Sequence, residues 1–173
     1  MQKIILFGQM GSGKSTVAKY LCDNYRYTKF SLGEKIHSEC ELYKMHDREH
    51  LQAYGQMMRQ IFHENIWCDY LINRSNGIDK IVIDDARQLN EYDYFVSRCY
   101  LPIAVIAEEH IRIGRLQKRV DYIIDPKTFN HETEINARNC INKCEIKIYN
   151  NSSYEDLVKE IETELGEYLR GGN

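Results

Sequence analysis

The sequence predicts an α/β protein in three layers, α/β/α, built on a five-stranded parallel sheet, and three observations lead there. A phosphate-loop pattern, G-x-x-x-x-G-K-[ST], spelled Gly8-Gln9-Met10-Gly11-Ser12-Gly13-Lys14-Ser15, stands directly behind a short apolar run. Short β-branched or aromatic runs alternate with stretches of helical periodicity along the whole chain, with no linker between them. Such alternation calls for right-handed crossovers, which lay helices on both faces of a parallel sheet. The last segment opens on a capping signal and carries an apolar stripe at helical spacing, the pattern of a helix laid against a core.

The elements follow in order. Lys3-Ile4-Ile5-Leu6-Phe7 reads as the first strand, and Thr16 to Leu21 has the apolar spacing of the first helix. Tyr27 to Ser31 is a second short strand, followed by helices over about Glu34 to Met45 and Arg48 to Asn73. Ser75-Asn76-Gly77 is a turn, and Lys80-Ile81-Val82-Ile83-Asp84 is a buried strand by its unbroken β-branched run. Leu101 to Ala107 is the fourth strand, with Pro102 near its start, where a missing N–H is tolerated. Glu145 to Tyr149 is the fifth. The last helix opens at Ser152 with Glu155 three residues on, and its stripe Leu157, Ile161, Leu165 and Leu169 faces the core.

Length and composition bound the function. A chain of 173 residues with 43% hydrophobic content is one domain with enough core to fold alone. A net charge of -3 offers no electrostatic footprint for a nucleic acid polymer, so the expected partner is a small substrate. The expected compartment is the cytoplasm, because the start lacks a signal-type apolar region and no later run approaches a membrane span. A homodimer stands as the candidate assembly. The six cysteines lack paired CxxC spacing and are expected as free thiols. Cys140 and Cys144, one helical turn apart near His131, lack an evident fourth ligand for zinc.

The phosphate loop carries the chemistry. Its fixed positions would arise by chance roughly once in a couple of hundred sequences of this length. Glycines let successive backbone N–H groups approach a phosphate without a side chain between, and the helix beginning near Gly13 adds the positive end of its dipole. The expected ligands are ATP, held by Gly8, Gly11, Ser12, Gly13, Lys14, Ser15 and Thr16, and Mg²⁺, ligated by the Ser15 hydroxyl. Asn142-Lys143-Cys144-Glu145 is too degenerate for the Asn-Lys-x-Asp guanine motif of a GTPase. Arginines instead cluster at three places: Arg48 and Arg59, then Arg87 behind Asp84-Asp85, then Arg112, Arg115 and Arg119 at spacings that share one helical face. A kinase needs such clusters, because donor and acceptor are both rich in phosphate.

At these residues the chain resembles the P-loop nucleoside monophosphate kinases, and within them the phage-type deoxynucleoside monophosphate kinases. The resemblance rests on R-x-x-L-Q-x-x-G-x-x-x-R followed by Trp, here Arg48, Leu51, Gln52, Gly55, Arg59 and Trp67. It extends to Asp85-Ala86-Arg87-Gln88-Leu89-Asn90-Glu91, where the family has D-V-R-F-P-N-E. His131-Glu132-Thr133-Glu134 and Ile148-Tyr149-Asn150 complete it. The departures are Gln88 and Leu89, where Phe and Pro are usual, and a short lid.

The resemblance implies a P-loop kinase fold and transfer of the γ-phosphoryl group of ATP to a nucleoside monophosphate. It implies that residues 34–75 bind the acceptor, through Arg48, Gln52, Arg59 and Arg87. Ser15 and Asp85 would hold Mg²⁺, and Lys14, Asp85, Arg87, Arg115 and Arg119 would carry catalysis, the last two on a lid over residues 112–134. Strand alternation alone sends Asp84 and Asp85 to opposite sides and does not choose between them; the resemblance picks Asp85. Two other functions remain open at this stage: a kinase like dephospho-coenzyme A kinase, with an Asp as general base, and a P-loop protein that binds ATP without turnover. Arg87 has a simpler role open to it, pairing with Glu91 one turn on, and Arg59 that of a solvated helix charge.

Overall fold

A computed structural model describes residues 1–118 and 132–171 of the chain, with Arg48, Glu132 and Thr133 described in backbone only. The apolar runs form β1 (Gln2–Phe7), β2 (Thr28–Phe30), β3 (Lys80–Ile83), β4 (Leu101–Ile106) and β5 (Ile146–Tyr149). They pair in the order β2-β3-β1-β4-β5, each pair parallel. The helices are α1 (Lys14–Tyr25), α2 (Gly33–Leu42), α3 (Arg48–Ile61), α4 (Ile66–Arg74), α5 (Leu89–Val96), α6 (Glu109–Gln117), α7 (Glu132–Lys143) and α8 (Tyr154–Arg170).

Strand β1 is central, so alternate side chains enter two different cores, and an unbroken apolar run is what such a strand requires. Ile5 and Phe7 meet Trp67 and Leu71 of α4, Phe95 of α5 and Cys140 of α7. Ile4 and Leu6 meet Val17 and Leu21 of α1 and the Leu157, Ile161, Leu165, Leu169 stripe of α8. All four β1 residues are wholly buried. The parallel register, with Ile5 beside Ile83, Phe7 beside Ala104 and Ile106 beside Tyr149, brings the carboxyl ends of β1, β3, β4 and β5 to one edge. Gly8, Asp84, Ala107 and Asn150 emerge there.

Four local expectations are corrected. The stretch from Arg48 to Asn73 is two helices, broken between Ile61 and Ile66. The break lets Tyr54 and Met58 of α3 and Trp67 and Leu71 of α4 reach the same core from different directions, and Trp67 Nε1 donates back to the Gly55 carbonyl at 3.1 Å. The second helix stops at Leu42, and Lys44, with φ 56, turns the chain away from helix before Met45. Helix α5 was not anticipated: it follows Asp84-Asp85 and opens with a reciprocal box between Gln88 and Glu91. The cap of α8 is Ser153, whose hydroxyl accepts from Asp156 N at 3.2 Å, one residue later than the Ser152 to Glu155 spacing suggested.

The cap position is testable. Ser153→Ala should cost about 1 kcal/mol of unfolding free energy, the usual worth of a serine N-cap, whereas Ser152→Ala should cost about zero. Urea denaturation of both variants distinguishes them, and the reverse order would restore the earlier cap.

Candidate active site

The phosphate loop leaves β1 at Gly8 and turns through positive φ at Gly11 (79°) and Gly13 (99°), conformations in which an L side chain is strained. Gly13 caps α1 through its carbonyl, which accepts from Thr16 N at 3.0 Å and Val17 N at 3.1 Å. The amides of Lys14 and Ser15 begin the helix and have no partner within it, so an anion placed there meets free donors.

Distant side chains hold the rest of the loop. Lys14 Nζ donates to the carbonyls of Gly8 (2.5 Å) and Gln9 (3.2 Å), Arg112 Nη1 to that of Met10 (3.2 Å), Arg115 Nη1 to that of Gly11 (3.4 Å) and Asn150 Nδ2 to that of Ser12 (2.8 Å). Met10 N donates to Glu134 Oε2 at 3.2 Å. Arg115 is itself fixed by Asn150, its Nη2 donating to the backbone carbonyl and to Oδ1, each at 3.0 Å.

A cavity of about 610 Å³ opens over the loop. Lys14, Ser15 and Thr16 line it on one side, and Asp84, Asp85 and Arg87 reach it from the end of β3. Burial, and next the Arg87 guanidinium, lower the Lys14 ammonium to about 7, against the upward pull of Glu134, Asp84 and Asp85. A lysine so poised holds its proton more firmly once phosphate charge arrives.

Asp84 and Asp85 line the same cavity, contrary to the alternation expected of them, because β3 ends at Ile83 and the chain leaves strand geometry there. Asp84 is buried and pairs with Lys29 Nζ at 2.7 Å. Asp85 accepts from Ser31 Oγ (2.6 Å), Leu32 N (2.9 Å) and Gly33 N (2.8 Å), so its carboxylate holds the start of α2 against β3. Both carboxylates and the exposed Ser15 hydroxyl line the cavity, and oxygen donors are the kind a hard divalent cation takes.

Arg59 and Arg87 are each held by a buried glutamate, and of the two Arg87 lines the cavity while Arg59 does not. Glu91 Oε2 accepts from the backbone amides of Arg87 (2.8 Å) and Gln88 (3.0 Å), while its Oε1 accepts from Arg59 Nη2 at 3.2 Å. Burial pushes the Glu91 carboxyl above the usual range. Arg59 is thus no solvated helix charge, and its Nε is buried without a partner. The Arg87 side chain does not pair with Glu91; it reaches Glu134 Oε1 at 3.4 Å. Gln52 is exposed on α3. The side chain of Arg48, all of Arg119 and most of the 112–134 segment lie outside the described residues. Arg112, grouped with Arg115 by spacing, is 4% exposed and serves the loop from behind.

Lys29 and Glu134 were not singled out as site residues, and Asn150 only as part of a strand-end pattern. Asn150 had a signal, a polar residue at the carboxyl end of an apolar strand, the edge where such sheets bind ligands. Glu134 stood within the His131-to-Glu134 stretch of the resemblance, which gave it no role.

The AAA domain family model matches residues 4–137. No curated protein matches the chain in sequence. Among solved structures, shikimate kinase from Aquifex aeolicus vf5 is similar over 99% of this chain and 100% of that one, with 17% identity and a TM-score of 0.65. A gluconokinase from Sinorhizobium meliloti 1021 is similar over 98% and 94%, with 14% identity and a TM-score of 0.60. Dephospho-CoA kinase from Campylobacter jejuni is similar over all of both chains, with 15% identity and a TM-score of 0.59. At these identities the likeness is one of fold: the chain has the α/β P-loop kinase architecture.

Two glycines give a test of the loop's shape. A Cβ on Gly13 would lie 2.1 Å from Asn150 Nδ2, and φ there is 99°, whereas a Cβ on Gly114, inside α6, meets nothing within 4 Å. Gly13→Ala should destabilise by about 1–3 kcal/mol, and Gly114→Ala should stabilise by up to about 1 kcal/mol. Thermal unfolding reads both, and equal effects would contradict the clamp on Gly13.

Proposed function

The chain belongs to the AAA domain family, and we propose that within it the protein is an ATP-dependent kinase whose acceptor is a nucleoside monophosphate. The observation that carries the proposal is a complete phosphate loop with the Arg87 guanidinium on the wall of the same cavity, and Arg59 behind it on Glu91, the carboxylate that also fixes the Arg87 backbone. A phosphate site with a guanidinium beside it is what a reaction between two phosphate-bearing substrates requires. The match of Arg48, Gln52, Gly55, Arg59 and the Asp85-to-Glu91 stretch to the phage-type deoxynucleoside monophosphate kinases favours a deoxynucleotide acceptor. The proposed compartment is the cytoplasm.

In this mechanism the amides of the loop and Lys14 bind the β- and γ-phosphates of ATP, and Arg59 and Arg87 hold the acceptor phosphate in line. An acceptor oxygen attacks the γ-phosphorus, the bond to the β–γ bridging oxygen breaks, and ADP leaves. A monophosphate is already ionised near neutral pH, so positioning and neutralisation carry the rate and no strong base is required. Ser15 and Asp85 would hold Mg²⁺, with Asp84 on the same wall, and the ion would supply positive charge against the phosphates. Arg115, held against Gly11, and Arg119 are the proposed contributors from the lid side.

A second reading, a kinase acting on a hydroxyl, is favoured by Asp84, a buried carboxylate beside Lys14's cavity that would serve as its base. A coupled ADP-release assay with ATP, Mg²⁺ and a panel of ribo- and deoxynucleoside monophosphates separates the two when dephospho-coenzyme A, shikimate and gluconate are run beside them. Turnover with a monophosphate is expected, and turnover with only a hydroxyl acceptor would replace the first reading by the second.

Lys14→Ala should leave a folded protein with turnover reduced at least about 100-fold. Arg59→Ala should reduce turnover by roughly 100-fold through the acceptor and leave ATP affinity within about threefold, read by titrating each substrate separately. Equal loss on both would contradict the division. The pH dependence follows from Lys14: near 7 in the free protein, its group is mostly neutral at pH 8 and charged once phosphates bind. ATP binding at pH 8 should take up about one proton, and affinity should fall as pH rises from about 7 to 9. Calorimetry in buffers of different ionisation enthalpy measures the uptake, and Lys14→Met should abolish it.

A further inference from the structure

Glu134 is the most enclosed carboxylate of the cavity region, with its side chain 1% exposed. It stands in the first turn of α7, where the helix dipole favours an anion, and its two oxygens have different clients. Oε2 accepts from Met10 N in the phosphate loop at 3.2 Å, and Oε1 meets Arg87 Nη1 at 3.4 Å. The backbone of Arg87 is fixed independently by Glu91, so Glu134 acts on the guanidinium alone. Arg112, the other guanidinium whose charge Glu134 stabilises, donates to the carbonyl of the same Met10.

We propose that Glu134 is a positioning residue that couples the two halves of the site: one carboxylate steadies the phosphate loop at Met10 and aims Arg87 at the acceptor. This rests on the kinase reading in one respect, that Arg87 faces the acceptor. Its physical content is that a buried carboxylate cannot lose its cation without cost to its other contact. With Arg87 in place, the negative charge of Glu134 is matched and the loop tolerates it. With Arg87 removed, the carboxylate behind the loop loses its ion-pair partner and keeps only the more distant charge of Arg112, so more of its negative charge bears on the amides that must receive phosphate.

A double-mutant cycle on Glu134 and Arg87 tests this, with β,γ-imido-ATP and Mg²⁺ as the calorimetric probe, so the central measurement needs no acceptor. Arg87→Ala in the parent background should weaken probe binding at least about fivefold, and in the Glu134→Gln background by less than about twofold. Additive effects would overturn the coupling. Glu134→Gln alone should bind the probe as well as the parent or better, because the amide oxygen still accepts from Met10 N–H and a negative charge leaves the neighbourhood of the phosphates. Turnover with the best acceptor of the panel should nevertheless fall at least about tenfold, because Arg87 loses its counterion. Equal loss of binding and turnover would mark Glu134 as a packing residue and overturn the proposal. Should Glu134→Gln fail to fold, Glu134→Asp keeps the charge but draws it back by one methylene, and the same split between turnover and probe binding is expected of it. If no panel member is phosphorylated, the kinase reading fails while the cycle still reports on the coupling. A parent protein that does not bind the probe would overturn both.

Discussion

The structure depends on one constraint: much of what holds the phosphate loop in shape lies outside it. Residues 8–13 contain three glycines, two with positive φ, and the carbonyls of Gly8 through Ser12 are all restrained by side chains. Only Lys14 belongs to the loop. Arg112, Arg115 and Asn150 arrive from beyond β4, and Glu134 supplies the acceptor for Met10 N. Turning carbonyls toward these donors leaves the amides at the start of α1 for an anion, so the loop's shape and its chemistry are one arrangement.

The same contacts explain why so many charges are buried in a chain whose net charge is only -3. Lys14, Asp84, Glu91, Arg112 and Glu134 are all nine-tenths or more buried. Removal from water would be costly for any one of them alone. They are tolerated because they interleave: Asp84 with Lys29, Glu91 with Arg59, Glu134 with Arg87. The residual cost is visible in Lys14, lowered to about 7, and in the raised Glu91. Such strain fits a site that awaits the charge of its ligand.

The layers and strands were legible because a buried parallel sheet demands continuous apolar runs, and Lys3 to Phe7 and Lys80 to Ile83 are of that kind. The stripe of α8 was legible for the corresponding reason at helical spacing. What escaped was decided by tertiary packing. The helical pattern from Arg48 to Asn73 has no breaker between Ile61 and Ile66, yet the chain bends there so that Trp67 can enter the core. The loop motif and the arginine clusters stood out by residue type and spacing, but their partners did not. Nothing near Glu134 in sequence points to Met10, because the interaction spans 124 positions. Asp84 and Asp85 defeated the alternation rule because it expires where the strand does.

The central place of β1 bears on how the molecule comes into being. Of the five strands, β1 is made before the rest, and it is the one that needs neighbours on both edges; those neighbours are residues 80–83 and 101–106. Until then Ile4, Ile5, Leu6 and Phe7, wholly buried in the end, have no sheet to join. The phosphate loop must wait longer still, for Asn150. This apolar segment therefore stays without its sheet, and open to aggregation, until β4 has been made. The phosphate loop, though spelled by residues 8–15, takes its final shape only when a residue well over a hundred positions later has been made.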